Sequence, residues 1–399
     1  MRLIILILIS IFLTLFTFQD TGLTITYSDT TLILIFPLFI YDFFRNRLIF
    51  NEFGNNLFYY YMFLLTAGLI NLTYFDGPFL NIFKTGFVSW VIYIWVYSLV
   101  YRGRINFKIL IFFVFILSVI FLNKTWNEIQ ESWTSVDRGF TAFVAFKSSL
   151  NLNSWGFILL LFSVFFIYAW SFGFYKKWIA AFLFFLVGFV LFSFSRASWG
   201  LLVLTLIWVF FYVKKFSPFA LIGFVIMGIL GYFVNTQFGF FKFSVSDAGI
   251  NFFEQKSSVA GDDLLYIRFY LINIKPILEK YQEFHFYQFI FGDGISVQHS
   301  WVSNSLVVTG FVGFFLYVRL YVLSIKGILK NIKQKIITSK FVLLLLIIIL
   351  VNDFLTNLSL FMPFIGYLTG FILGVFYAES DRAANQLINE NCEKYNNTY

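Results

Sequence analysis

Long apolar runs separated by short polar connections recur from one end of this 399-residue chain to the other. Each approaches the ~20 residues a helix needs to cross a bilayer. In hydrocarbon every backbone N–H and C=O must be satisfied within the protein, so a chain built of such runs is expected to fold as an all-α bundle. About twelve spans are expected by hydropathy, at 3–18, 31–44, 57–72, 85–101, 107–122, 154–173, 178–194, 198–213, 217–234, 301–325, 341–358 and 362–378. Hydrophobic residues make up 60% of the chain and charged ones 12%, with a mean hydropathy of +0.83. No soluble domain of this length carries such a surface, so the chain reads as a polytopic integral membrane protein. The opening MRLIILILISIFLTLF lacks a small-residue cleavage site after it and is expected to stay as the first span.

Charge fixes the orientation. Basic residues fall in alternate connections: Arg2; Arg45 and Arg47; Arg102, Arg104 and Lys108; Lys176 and Lys177; Lys214 and Lys215; and the run from Lys326 to Lys340. The intervening connections around Asp20, Asp76 and Leu360 carry few or none. Positive charge stays in the cytoplasm, so both termini are expected there, with residues 379–399 as a cytoplasmic tail. Two connections on the opposite side are too long for turns, 123–153 and 235–298, and long loops in compact proteins usually carry function. In the second, Leu264, Ile267, Leu271, Ile274 and Leu278 recur every three or four residues. That spacing predicts an amphipathic helix on the membrane surface, bent near Pro276.

Several chemistries are excluded early. A single cysteine, Cys392, rules out a disulfide framework, and two histidines rule out a histidine-rich metal cluster. No Gly-rich phosphate loop ending in Lys is present, so ATP-driven transport has no support. No feature points to nucleic acid.

Chemistry concentrates at three positions expected on the outer side. His299 lies in FGDGISVQHSWVSNSLVVTGFVG, from Phe291 to Gly313, at the mouth of an apolar segment. An imidazole there needs polar partners that lipid does not supply. Arg196, in SFSRASWG, stands at the outer end of a span, where a lone arginine often only snorkels. Arg268 sits on the loop helix, where a solvated face would explain it equally well. Two guanidiniums suit a phosphate or diphosphate, because their planar donors bind oxygens bidentately at any pH. A histidine beside them can exchange a proton with a hydroxyl near neutral pH.

The run from His299, namely His-Ser, nine residues, Gly310, two residues and Gly313, resembles the signature of the O-antigen ligase and polymerase superfamily. The Ser195-Arg196 step, Arg268 about thirty residues before the histidine, and RGFTAFVAFKSSLNLNSWG from Arg138 to Gly156 resemble that family's other motifs. The likeness covers roughly residues 120–330. Ser300 stands where asparagine is common, and the segment before Gly292 lacks the usual proline.

The resemblance implies a metal-independent glycosyltransferase related to the type-C enzymes, in a bacterial inner membrane with its site facing the periplasm and no cofactor. Its donor and acceptor would be undecaprenyl-diphosphate-linked oligosaccharides, with the diphosphate as leaving group and a chain-length regulator as a membrane-protein partner. Arg196 and Arg268 would hold the diphosphate. His299 would orient or deprotonate the attacking hydroxyl, or else contact phosphate. Arg138, Asp293, Trp301 and Asn304 are the expected substrate contacts. Asp262, Asp263 and Asp293 are the carboxylates placed to ligate a metal, although no tight metal motif is present. A polymerase joining repeat units is favoured, since a composition rich in Phe, Ile, Asn, Lys and Tyr points to an AT-rich gene of the polysaccharide-cluster kind. A ligase acting on lipid A-core is the alternative, and a flippase of the same lipids is the weakest reading.

Other residues are weighed lower. Asp353 and Arg319 are charges within expected spans; Asp353 is expected to line the outer end of a cavity, and Arg319 to face the bundle or reach the cytoplasmic boundary. Trp126, Trp133 and Trp301 are placed where a sugar can stack. His285, between two phenylalanines on the loop helix, reads as a surface histidine.

Overall fold

The computed structural model describes residues 27–45, 47–70, 78–134, 152–192, 196–213, 275–292, 301–355 and 363–396. Among these residues the fold is all-α, with no β-strand. The helices are α1 (Tyr27–Phe44), α2 (Glu52–Ile70), α3 (Pro78–Tyr101), α4 (Phe107–Thr134), α5 (Leu152–Ser171), α6 (Lys176–Phe192) and α7 (Arg196–Trp208), which runs on as a π-turn over Val209–Val213. Further along the chain come α8 (Lys275–Glu283), α9 (Phe286–Phe291), α10 (Trp301–Lys333), α11 (Ile337–Leu355) and α12 (Pro363–Asn396). The segment Leu306–Lys333 is long and apolar enough to cross a membrane, and Ile35–Phe44, Phe107–Asn123, Trp155–Ser171 and Ala197–Val213 are shorter apolar helices. The expected spans at 3–18 and 217–234 lie outside the described residues.

Three helices run well past the C-terminal ends that hydropathy predicts. α4 continues through Thr134, so the outer connection drawn from residue 123 begins as helix and carries Trp126 and Trp133 on it. α10 extends to Lys333 and α12 to Asn396, so the tail at 379–399 is helical through Asn396. Apolar character ends where a lipid boundary would, but a helix ends only where a breaker or cap stops it, and these stretches hold neither Pro nor a helix-ending Gly.

The chain divides into two compact units, Met1–Leu110 with Glu279–Tyr399, and Ile111–Leu278. In the first unit α3 and α12 pack along each other. Gly370 and Gly374, one turn apart on α12, permit this approach: a Cβ at Gly370 would lie 2.6 Å from the Ser89 carbonyl oxygen, and one at Gly374 2.8 Å from that of Tyr93. Small residues spaced by four lie on one helix face and let two helix backbones approach closely. The α12 stretch from Phe364 to Ala378 is accordingly buried all round. The indole of Trp90 donates to the Gly54 carbonyl at 2.9 Å and ties α3 to α2.

In the second unit α5 is the core. Its residues from Trp155 to Ala169 are buried on every side, as expected of a helix apolar all round. Phe182 of α6 meets Phe166 of α5 edge-on at 5.1 Å and Phe115 of α4 at 4.7 Å. The Trp199 indole, one turn into α7, donates to the Val190 carbonyl at 3.2 Å and so fastens the start of α7 to the end of α6.

Candidate active site

The described structure frames the segment that carries His299. α9 packs against α10, and two glycines make that contact a backbone one. Gly292 caps α9 with φ 76 and ψ −179, donating its N–H to the Gln288 carbonyl at 2.7 Å. Gly310 interrupts α10 with φ 64 and ψ −171. Both lie in a region of backbone conformation that is essentially reserved to glycine. A Cβ on Gly292 would stand 2.5 Å from the Thr309 nitrogen and run into the Val308 carbonyl. One on Gly310 would stand 2.5 Å from the Ile290 carbonyl and 2.7 Å from the Gly292 nitrogen. The two ends of the His299-bearing segment are therefore fastened to each other, backbone to backbone.

Neighbouring aromatics hold this clasp. Phe291 stacks on Phe63 of α2 at 6.0 Å with the rings 16° apart. A Cβ at Gly313 would come within 2.9 Å of the Phe63 ring, so the second glycine of the motif makes room for α2. Tyr281 of α8 donates its hydroxyl to the Leu306 carbonyl at 3.2 Å, four residues before the kink, and its ring touches Phe284, Phe289 and Phe311. Burial pushes the Tyr281 phenol up to about 12, so it stays a hydrogen-bond donor throughout the physiological range. Hydropathy alone had no means of finding Tyr281, Phe63 or the Gly292–Gly310 contact, because each joins residues far apart in the chain.

His299, Arg268, Arg138 and Asp293 lie outside the described residues, as do Asp262 and Asp263. Arg196 is the first residue of α7, and Trp301 and Asn304 fall in the first turn of α10; their side chains lie outside the described residues. Among the described residues no three His, Cys, Asp or Glu side chains gather where a metal ion would sit.

Some expectations change. The loop helix over Leu264–Leu278 falls mostly outside the described residues; the described part, α8, starts at Lys275 with Pro276 in its first turn, where a missing N–H costs nothing. His285 is not within one loop helix: it is the extended N-cap between α8 and α9, exposed, with its N–H donating to the Gln288 side chain at 2.7 Å. Asp353 does not line a cavity. Its side chain is 0% exposed and accepts hydrogen bonds from Tyr317 at 2.8 Å and Tyr321 at 3.3 Å, both on α10. Arg319 does not face the bundle; it lies on the exposed side of α10.

A second polar cluster closes the opposite end of the first unit. The Tyr97 hydroxyl donates to Asp381 at 2.8 Å, and that of Tyr93 to the Asn51 side chain at 2.9 Å. Burial raises the Asp381 carboxyl above its ordinary value, with the hydrogen bonds from Tyr97, Asn51 and Asn331 opposing the shift. Burial also raises Glu379, against the pull of Arg382 at 3.6 Å. No protein-family model matches the chain, and no curated protein matches it.

Proposed function

We propose that the protein is a polytopic membrane glycosyltransferase that extends a surface polysaccharide on the outer face of a bacterial inner membrane. The chain would cross the bilayer about twelve times with both termini cytoplasmic. It would move a glycan from one undecaprenyl-diphosphate carrier onto the terminal hydroxyl of another lipid-linked repeat unit. The observation that carries the reading is the Gly292–Gly310 clasp. The glycines on either side of His299 are needed by the backbone itself, and their contact holds together the two ends of the segment that includes the histidine, which supports the reading.

The chemistry follows from the residue types. The bond broken joins the sugar's anomeric carbon to the diphosphate, and the bond formed joins that carbon to the acceptor oxygen. Negative charge grows on the diphosphate as it leaves, and Arg196 and Arg268 neutralise it. Arg196 heads α7, and a helix N-terminus favours an anion, so a cation at that place is well served when phosphate shares it. His299 takes up the acceptor proton or orients the hydroxyl that loses it. Arg138, Asp293, Trp301 and Asn304 would position the sugars. A ligase that passes the finished glycan to lipid A-core would use the same trio and is the second reading; a flippase would spread polar groups through its spans instead.

Replacing Arg196, Arg268 or His299 singly by alanine tests the proposal. Each variant is expected in the membrane at normal level with transfer reduced by at least about two orders of magnitude, the ~3 kcal/mol effect of a lost transition-state charge contact. Arg→Lys at 196 or 268 should also be poor, since an ammonium lacks the bidentate fork. Near-normal polymer from Arg268→Ala at matched expression would remove the mechanism.

A further inference from the structure

The outer side of α10 carries two stripes that the transfer reaction does not use. Phe311, Phe315, Val318, Val322 and Leu329 are 44%, 65%, 37%, 56% and 42% exposed, an apolar stripe facing away from the bundle. Along one edge of it run Arg319, Lys326, Lys330 and Lys333, all exposed. The intervals of seven, four and three residues confine these four cations to an arc of roughly 60° at 100° per residue. Among the described residues none of the four makes an ion pair or hydrogen bond. Among the described residues, the Glu52 carboxylate approaches Gly327, about 60° around the helix from Lys330 and about 100° from Lys326, and forms no ion pair with any of the four.

Arg319 is the informative member. It lies inside Leu306–Lys333, the segment long and apolar enough to cross a membrane, about 10 Å along the axis before Lys326. A guanidinium at that depth is costly in lipid unless an anion meets it. Helical side chains lean toward the N-terminus, so the Arg319 stem points away from the basic end of α10 and does not readily climb to it. An anion must instead come down to the arginine.

We propose that this face of α10 binds an anionic phospholipid of the leaflet at the helix's C-terminal end. Its phosphate would lie between Arg319 and Lys326, within the field of Lys330 and Lys333, and its acyl chains would cover Phe311, Phe315, Val318 and Val322. A second copy of the chain fits the face poorly. Copies paired about an axis normal to the membrane would set Arg319 and each lysine against the same residue at the same depth, placing like charges together. The inference rests on α10 spanning a membrane and is independent of glycosyl transfer.

The test uses the full chain reconstituted in phosphatidylcholine vesicles, with trace spin-labelled phosphatidylglycerol or phosphatidylcholine as probe. The motionally restricted fraction of each lipid gives their relative association. The wild type should prefer phosphatidylglycerol, and Arg319→Gln or Lys326→Gln should each lower that preference by about fivefold at low salt. The Lys176→Gln/Lys177→Gln pair, on a different helix, should leave it nearly unchanged and controls for bulk charge. Equal association of the two lipids with wild type, or an unchanged preference in Arg319→Gln, would overturn the proposal. So would efficient disulfide cross-linking between copies through Val322→Cys, which would assign the face to a second protein. None of these readouts needs a glycan substrate, so their failure would leave the transfer reaction standing.

Discussion

At the scale of single residues, two aspartates show how far a charge in an apolar chain can be read from sequence. Asp353 stands in an apolar run and is plainly costly there, but its partners Tyr317 and Tyr321 lie 36 and 32 residues away, and nothing local announces them. Tyr317→Phe should leave the buried carboxyl short of its nearer donor and lower stability by about 1.5–3 kcal/mol, with Tyr321→Phe milder because its bond is longer. Thermal unfolding in detergent measures both. Asp381 behaves differently, because burial raises its carboxyl above the ordinary value of 3.8. Below that value both folded and unfolded states hold the proton, and the folded state has its full stability. As pH climbs from there through the raised folded value, the unfolded state ionises first, so stability falls. Asp381→Asn keeps an acceptor for Tyr97 and should flatten this loss: at neutral pH it should melt no lower than wild type, whereas at pH 4 the advantage should vanish. A steeper decline with pH in the variant would refute the assignment.

At the scale of elements, the apolar runs located the helices well and their ends poorly. Composition marks where a segment suits lipid, whereas α4, α10 and α12 continue as helix past that point. The glycines show the same limit from another direction. The spacing of Gly310 and Gly313 after His299 was legible as a motif, but its cause was not. Two glycine-only conformations, at Gly292 and Gly310, touch across a stretch of intervening sequence. Gly292→Ala and Gly310→Ala should each cost about 1–3 kcal/mol in backbone strain before the clash is counted, and should abolish transfer even where folded protein survives. Gly200→Ala is the matched control: on α7, nothing lies within 4 Å of its added Cβ, so it should be neutral or stabilising by about 0.5–1 kcal/mol. Melting curves beside product analysis separate the two effects, and full transfer by Gly310→Ala would deny the clasp any role.

At the scale of the whole molecule, fold class was legible because bilayer and backbone hydrogen bonding leave a greasy chain few choices. The groups we propose for the reaction, His299, Arg196 and Arg268, rest on residue types and spacing in the sequence alone. Their sidedness can be measured directly. A reporter fused after Gln255 should read the outer side and one after Lys333 the cytoplasm; cytoplasmic exposure at Gln255 would place His299 on the wrong face for flipped lipid-linked substrates. The most direct test of the central claim is in vitro extension. The purified protein, supplied with its undecaprenyl-diphosphate repeat unit alone and no added metal, should yield a ladder of longer lipid-linked glycans, because one copy donates its reducing end while another offers its hydroxyl. A folded preparation that leaves this substrate unextended, yet transfers it once lipid A-core is added, would contradict the polymerase and make the protein a ligase.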